Sequence, residues 1–265
     1  MQAGLNISSA LGKQYKVIAV TWTQGETDYI DSTSEDSYKA SLIALKNDIN
    51  TDIKAMTNQK EDVAFVMYQT ATSQGGGKSF PNIALAQLYC ALNETGIYMA
   101  TPMYQMDYND PFHLKSASSK LLGNYYGRTI NEVVTLSEDV KPMHVISAVV
   151  QGSIIKLKMK VNSLPLVFDA ANGVTLLNKG FSVIKSGSDI LNSTSIGDDG
   201  DSVLLYCSSD PSGATVQYGV NVTSVPNSNV NLGNLRDSNG DNDQVVIDGN
   251  TYFMHNWCPI FTYLI

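Results

Sequence analysis

Apolar and polar positions follow two different rhythms along this chain. Residues 1–140 carry short continuous apolar runs separated by longer stretches of helical spacing. Residues 17–22, 63–68 and 97–102 read as strands, because a short unbroken apolar run fits a strand buried on both faces. Between the first two, Leu42, Leu45, Ile49 and Ile53 recur at helical intervals within residues 37–56. Residues 81–92 read as a helix with Pro81 near its first turn. Residues 115–134 read as a last helix. Strand and helix in alternation predict a parallel sheet with crossover helices. Ligands of such sheets bind beyond the carboxyl ends of the strands. The segment Trp22-Thr23-Gln24-Gly25-Glu26-Thr27-Asp28, then Gln69, then Asp110-Pro111-Phe112-His113 each follow one strand. All three are therefore expected on one rim.

From about residue 145 the period falls to two. Ile155, Leu157, Met159 and Val161 alternate with Lys156, Lys158 and Lys160, as in a half-buried strand. Residues 202–207 and 214–220 are similar runs, split by Asn, Gly, Ser and Asp. This pattern predicts an all-β sandwich. The expected boundary lies near Lys141-Pro142, giving an α/β unit over residues 1–142 and a sandwich over 143–265.

Composition narrows the function classes. The formal net charge is −8, and arginine occurs only at Arg128 and Arg236. A nucleic-acid binder needs a basic patch to neutralise phosphates, so that class is set aside. No apolar run reaches the length of a membrane span. Residues 1–5 lack a basic stretch followed by an apolar one, so no signal peptide is expected. Cys90, Cys207 and Cys258 form no Cys-x-x-Cys pair. They are expected to be small buried hydrophobes rather than zinc ligands or a disulfide framework.

The candidate chemistry is acyl transfer. Such a site needs a nucleophilic hydroxyl, an imidazole base oriented by a carboxylate, and neutral donors for the oxyanion. Asp110, three residues before His113, fits the carboxylate and the base. Gln24 can donate an N–H without adding a charge, and Gly25 allows close backbone approach; the competing reading is a plain strand-ending turn. Glu26 and Asp28 either orient neighbouring loops and substrate hydroxyls or form an ordinary helix-entry cluster. Ser8 and Ser9 read as helix positions ahead of the first strand, a poor place for a nucleophile. His144 and His255 read as structural. Gly75-Gly76-Gly77-Lys78-Ser79 sits where a phosphate loop would, but Thr72 occupies the place of that motif's first glycine. A flexible substrate-facing loop is expected there instead. Residues 237–243 alternate oxygen donors, yet lack the glycine and closing glutamate of a calcium loop, so a turn is expected.

The segment Trp22-Thr23-Gln24-Gly25-Glu26-Thr27-Asp28 closely resembles the Trp-x-Gln-Gly-Glu-x-Asp block of sialate O-acetylesterase-like SGNH hydrolases. Asp110-Pro111-Phe112-His113-Leu114 resembles that family's Asp-x-x-His-Leu block. Ala86-Gln87 and Ala100-Thr101-Pro102 are similar to family positions as well. Residues 167–173, 179–181 and 234–237 resemble the β-sandwich appended to such esterases. His255-Asn256-Trp257-Cys258 is similar to the close of bacteriophage tail-spike esterases. The resemblance implies a partial SGNH, flavodoxin-like sheet. It implies His113 as general base, Asp110 as its partner and Gln24 as an oxyanion donor. The implied reaction is deacetylation of an O-acetylated polysaccharide through an acetyl-serine, with no metal or organic cofactor. A virion-tail or extracellular setting and a homotrimer are implied with it. In the family the nucleophilic serine precedes the Gln-Gly-Glu block. The serine-bearing segment is therefore expected outside this chain, in the same protein or another. The competing expectation is a non-catalytic glycan-binding or structural module of a tail spike.

Overall fold

A computed structural model describes residues 1–71, 80–110, 112–169, 177–220 and 232–265. The first part runs α1 (Gln2–Ala10), β1 (Ala19–Trp22), α2 (Glu26–Ile30), α3 (Glu35–Thr57), β2 (Ala64–Gln69), α4 (Asn82–Asn93), β3 (Ile97–Pro102) and α5 (Ser116–Ile130). The three strands form a parallel sheet in the order β1-β2-β3. Local chemistry fixes the helix ends. Ser34 Oγ accepts the Ser37 N–H at 3.2 Å, and Glu35 and Asp36 sit in the first turn of α3, at the positive end of its dipole. Asn58 closes that helix in the left-handed region, at φ 55°. The last helix changes type: α5 gives way to a π turn over Asn131–Thr135.

Every residue of β2 is buried, as a central strand requires. The first strand departs from expectation. It pairs with β2 alone, its residues are half-buried or exposed, and the preceding Ile18 is 54% exposed. An apolar run announces a strand, but it does not say how many neighbours that strand has.

The second part is antiparallel. It contains β4 (His144–Gln151), β5 (Ile154–Lys160), β6 (Val167–Phe168), β7 (Phe181–Lys185), β8 (Ser188–Asp189), β9 (Leu191–Ile196), β10 (Ser202–Cys207), β11 (Thr215–Tyr218), β12 (Leu235–Arg236), β13 (Gln244–Ile247), β14 (Asn250–Phe253) and β15 (Phe261–Leu264). Two four-stranded sheets form, β4-β5-β10-β9 and β15-β11-β7-β8, beside two two-stranded ones. The period-two reading of β5 holds: Ile155, Leu157 and Met159 are buried and their lysine neighbours are not.

Apolar side chains of both parts join one core. Polar groups weld the seam. Tyr104 Oη donates to the Cys258 carbonyl at 2.7 Å, and Tyr125 Oη to the His255 carbonyl at 2.9 Å. Arg128 of α5 reaches the Met254 carbonyl at 2.5 Å, Asn256 Oδ1 at 2.6 Å and the Asp243 carboxylate at 3.2 Å. Gln69 corrects an expectation. It belongs to β2 rather than to the rim, and it is fully buried. Its Nε2 donates to the Ile260 carbonyl at 2.9 Å and to the Ala84 carbonyl at 3.0 Å, while its Oε1 accepts the Ile260 N–H at 2.8 Å. A buried amide with both ends matched to the Ile260 backbone is a joint, not a ligand group.

Gln69→Leu keeps the volume but orphans the Ile260 N–H and carbonyl. Each such buried group costs about 1–3 kcal/mol, so urea unfolding is expected to show a loss of roughly 2–5 kcal/mol. A loss below about 0.5 kcal/mol, the range of an ordinary surface change, would remove Gln69 from the joint.

Candidate active site

The loop after β3 is closed on itself. Tyr108 and Leu114 form an antiparallel bridge, and the Asn109 N–H donates to the His113 carbonyl at 2.8 Å. Asp110 lies inside this closed turn. Its Oδ1 accepts the N–H groups of Phe112 and His113, each at 2.8 Å. A short carboxylate folding back onto its own backbone in this way is the reason aspartate suits the position. The same carboxylate takes the imidazole: His113 Nδ1 lies 2.8 Å from Oδ2 and 3.0 Å from Oδ1. The Phe112 N–H, then the His113 ring, then the His113 N–H hold the Asp110 carboxyl below the usual aspartate range. An anionic acceptor at Nδ1 places the proton of the neutral ring there and leaves the lone pair on Nε2. Among the described residues, no hydroxyl hydrogen-bonds to that Nε2; the ring's bonds are both to Asp110. The His113 side chain is 77% exposed, so this pair does little for folding stability and is available for chemistry.

The opposite wall comes from the end of β1. Gly25 caps α2 at φ 156°, ψ −23°, and a Cβ there would stand 3.1 Å from both Gln87 Nε2 and Ile83 Cγ2. Only glycine fits. Gln24 Nε2 donates to Asp28 Oδ2, and Thr33 Oγ1 donates to Asp28 Oδ1 at 3.0 Å. Glu26 accepts from Tyr68 Oη at 2.5 Å and from Thr70 Oγ1 at 2.9 Å, tying the ends of β1 and β2 together. Burial first, then the Glu26 charge, pushes the Tyr68 hydroxyl well above its ordinary pKa, so it remains a donor.

Gln24, Gly25, Glu26 and His113 line one open cleft of ≈ 570 Å³, with Phe112, Leu122 and Tyr126 as its apolar surface. This size suits a small organic ligand. Asp110 and Asp28 stand one hydrogen bond behind the lining. The β1 and β3 segments thus meet, and Gln69 does not join them. Ser119 of α5 also lines the cleft. Neither it nor Tyr38, which with Gln87 holds Gln24 from behind, is signalled by motif, whereas Gln87 falls in the Ala86-Gln87 pair that resembles the family. For Gln87 a second cue exists: an amide inside the apolar stretch from Ile83 to Ala91 needs a buried partner.

The remaining candidates lie elsewhere. Ser8 Oγ donates to the Leu5 carbonyl within α1, at 3.0 Å. His144 Nδ1 meets the Pro142 carbonyl at 2.8 Å. His255 is buried, stacked on Phe253 at 5.5 Å, and burial, with Arg236 as the next cause, lowers its pKa. The acidic stretch 237–243 is a turn occupied by arginines: Asp241 takes Arg236 at 3.0 Å and Asp243 takes Arg128. Asp237 is buried, accepting the Asn239 N–H at 2.9 Å. Among the described residues no cluster of three His, Cys, Asp or Glu could hold a metal, and no helix is long and apolar enough to cross a membrane. The Gly75–Ser79 loop lies outside the described residues. All three cysteines are buried and unpaired.

Residues 5–132 match the family model described as carbohydrate esterase, sialic acid-specific acetylesterase. This segment is similar to sialate O-acetylesterase-like SGNH hydrolases. The matched segment includes the whole cleft, from Thr23 to Tyr126. A carbohydrate acetylesterase from Xanthomonas citri has a similar fold, with a TM-score of 0.64 at 16% identity over 92% of this chain and 50% of that one. The chain therefore spans about half the length of the structure that it matches. No curated protein matches it.

Because the folded Asp110 pKa is depressed, its contribution to the loop is complete above the unfolded aspartate value and is lost as pH falls through the lower folded value. The carboxyl carbon of Asp110, followed by NMR, is expected to titrate below about 3.9, the free aspartate value. A midpoint at or above that value would mean that the Phe112 and His113 donors are not engaged.

Proposed function

We propose that this chain supplies the base and oxyanion walls of a carbohydrate O-acetylesterase. The observation that carries the reading is the pairing of His113 Nδ1 with Asp110 across a cleft from Gln24. In this mechanism His113 Nε2 removes the proton of an attacking serine hydroxyl. The serine oxygen bonds to the acetyl carbon, and the carbonyl electrons move onto oxygen. Gln24 Nε2–H and the Gly25 backbone are the neutral donors for that oxyanion. Collapse breaks the bond to the sugar oxygen, which takes the proton from His113. Water, activated by the same ring, then releases acetate from serine. Asp110 stabilises the imidazolium and holds the ring in place without itself taking a proton. Glu26 and Asp28 support the oxyanion wall.

The attacking serine belongs, in this reading, to a hydrolase segment outside these 265 residues, in the same protein or another chain. The lack of a hydroxyl partner for His113 Nε2 among the described residues and the half-length match support that placement. Residues 1–142 carry the chemistry, and residues 143–265 form an accessory sandwich-like unit that braces it through the Gln69 and Arg128 joints.

Acetate release from an O-acetylated polysaccharide tests the reading. The chain alone is expected to release none, and the chain joined to a serine-bearing hydrolase segment is expected to be active. His113→Ala should then lower kcat/KM at least about 100-fold. Undiminished activity in that variant would exclude His113 as the base. Activity of the chain alone that Ser119→Ala abolishes would place the nucleophile on α5 instead. Glycan binding with no turnover in any form would favour a non-catalytic module.

A further inference from the structure

Gln24 is held from more sides than a cleft-lining glutamine requires. Its Nε2 gives one N–H to Asp28 Oδ2. Its Oε1 accepts from Tyr38 Oη at 3.2 Å, and the same hydroxyl reaches the Gln24 backbone carbonyl at 3.0 Å. That carbonyl also accepts Gln87 Nε2 at 3.1 Å, and Gln87 Nε2 lies 3.3 Å from Tyr38 Oη. Gln87 Oε1 in turn accepts the Thr70 N–H at 2.8 Å. Tyr38 and Gln87 are both buried, on α3 and α4. Asp28 of α2 and Tyr38 of α3 thus hold the side chain, and Gln87 of α4 holds the backbone carbonyl and the Tyr38 hydroxyl behind it.

A carboxamide can flip by half a turn, exchanging its N–H₂ for its oxygen. Here the flip is opposed at both ends. A carboxylate that can only accept faces the nitrogen, and a hydroxyl donor faces the oxygen. Burial, with the charges of Asp28 and Glu26 adding to it, keeps the Tyr38 hydroxyl protonated, so it remains available as a donor. One N–H of Gln24 is spent on Asp28, and the second is left for the cleft that Gln24 lines. A donor fixed before the reaction stabilises a developing oxyanion without reorganising.

We propose that Tyr38, Asp28 and Gln87 are positioning residues that lock the Gln24 carboxamide with an N–H directed to the cleft. This rests on the esterase reading for its purpose, but its geometry is tested without turnover. Side-chain amide NMR of the ¹⁵N-labelled chain, with Gln24→Ala to assign the signal, reports the lock. Gln24 should show two well-separated, rigid amide protons that exchange slowly. Tyr38→Phe removes only a hydroxyl and Asp28→Ala only the acceptor; each is expected to speed Gln24 amide exchange by about five- to tenfold, the worth of one hydrogen bond. Asp28→Asn keeps an acceptor oxygen and should restore most of the protection. A wild-type signal indistinguishable from mobile surface glutamines would overturn the proposal. So would an unchanged signal in Tyr38→Phe, provided that its thermal melt shows a folded chain. A locked amide in a chain that never yields acetate, even when completed, sinks the esterase reading alone. Acetate release with a mobile Gln24 sinks the lock alone.

Discussion

Three N–H groups converge on the Asp110 carboxylate, two from the backbone of its own turn and one from the His113 ring. That convergence does two things at once. The backbone donors fold the loop into the shape that brings the ring back over the carboxylate. The carboxylate then decides which ring nitrogen carries the proton. Replace the aspartate with a longer acid and the backbone contacts are lost, because the side chain no longer fits the turn. The Asp110–His113 pair is thus a product of local geometry, set within five residues and closed by the Tyr108–Leu114 bridge.

The opposing wall depends on long-range contacts. Gln24 and Glu26 are placed by Tyr38, Gln87, Tyr68 and Thr70, which arrive from α3, α4, β2 and the residue just after β2. These elements are themselves pinned to the antiparallel part. Gln69 grips the Ile260 backbone, and Arg128 grips residues 243–256. The second arginine, Arg236, is bound inside the antiparallel part, by Asp169 at 2.6 Å and by Asp241. In an acidic protein the two act as internal rivets.

Much of this was legible in the sequence because strand and helix periods are local. The strand over 97–102 and the alternation of Ile155, Leu157 and Met159 with lysines were readable from pattern alone. The Asp-x-x-His spacing was readable too, since its bonds lie within four residues. Gln69 was misplaced because burial is a property of neighbours, and its partner Ile260 lies 191 positions away. The half-exposure of β1 was missed for the same reason: an edge strand and a central strand can share one apolar run. Tyr38 gave no local cue, since its hydroxyl meets Gln24 only after two elements have packed.

The account stands on which nitrogen of His113 is bare. Long-range ¹⁵N–¹H NMR of the neutral imidazole reads this directly. The account predicts a ring protonated at Nδ1, with Nε2 resonating as an unprotonated nitrogen, and a loss of that preference in Asp110→Asn. A ring protonated at Nε2, or averaging freely between the two forms in the wild-type chain, would contradict it.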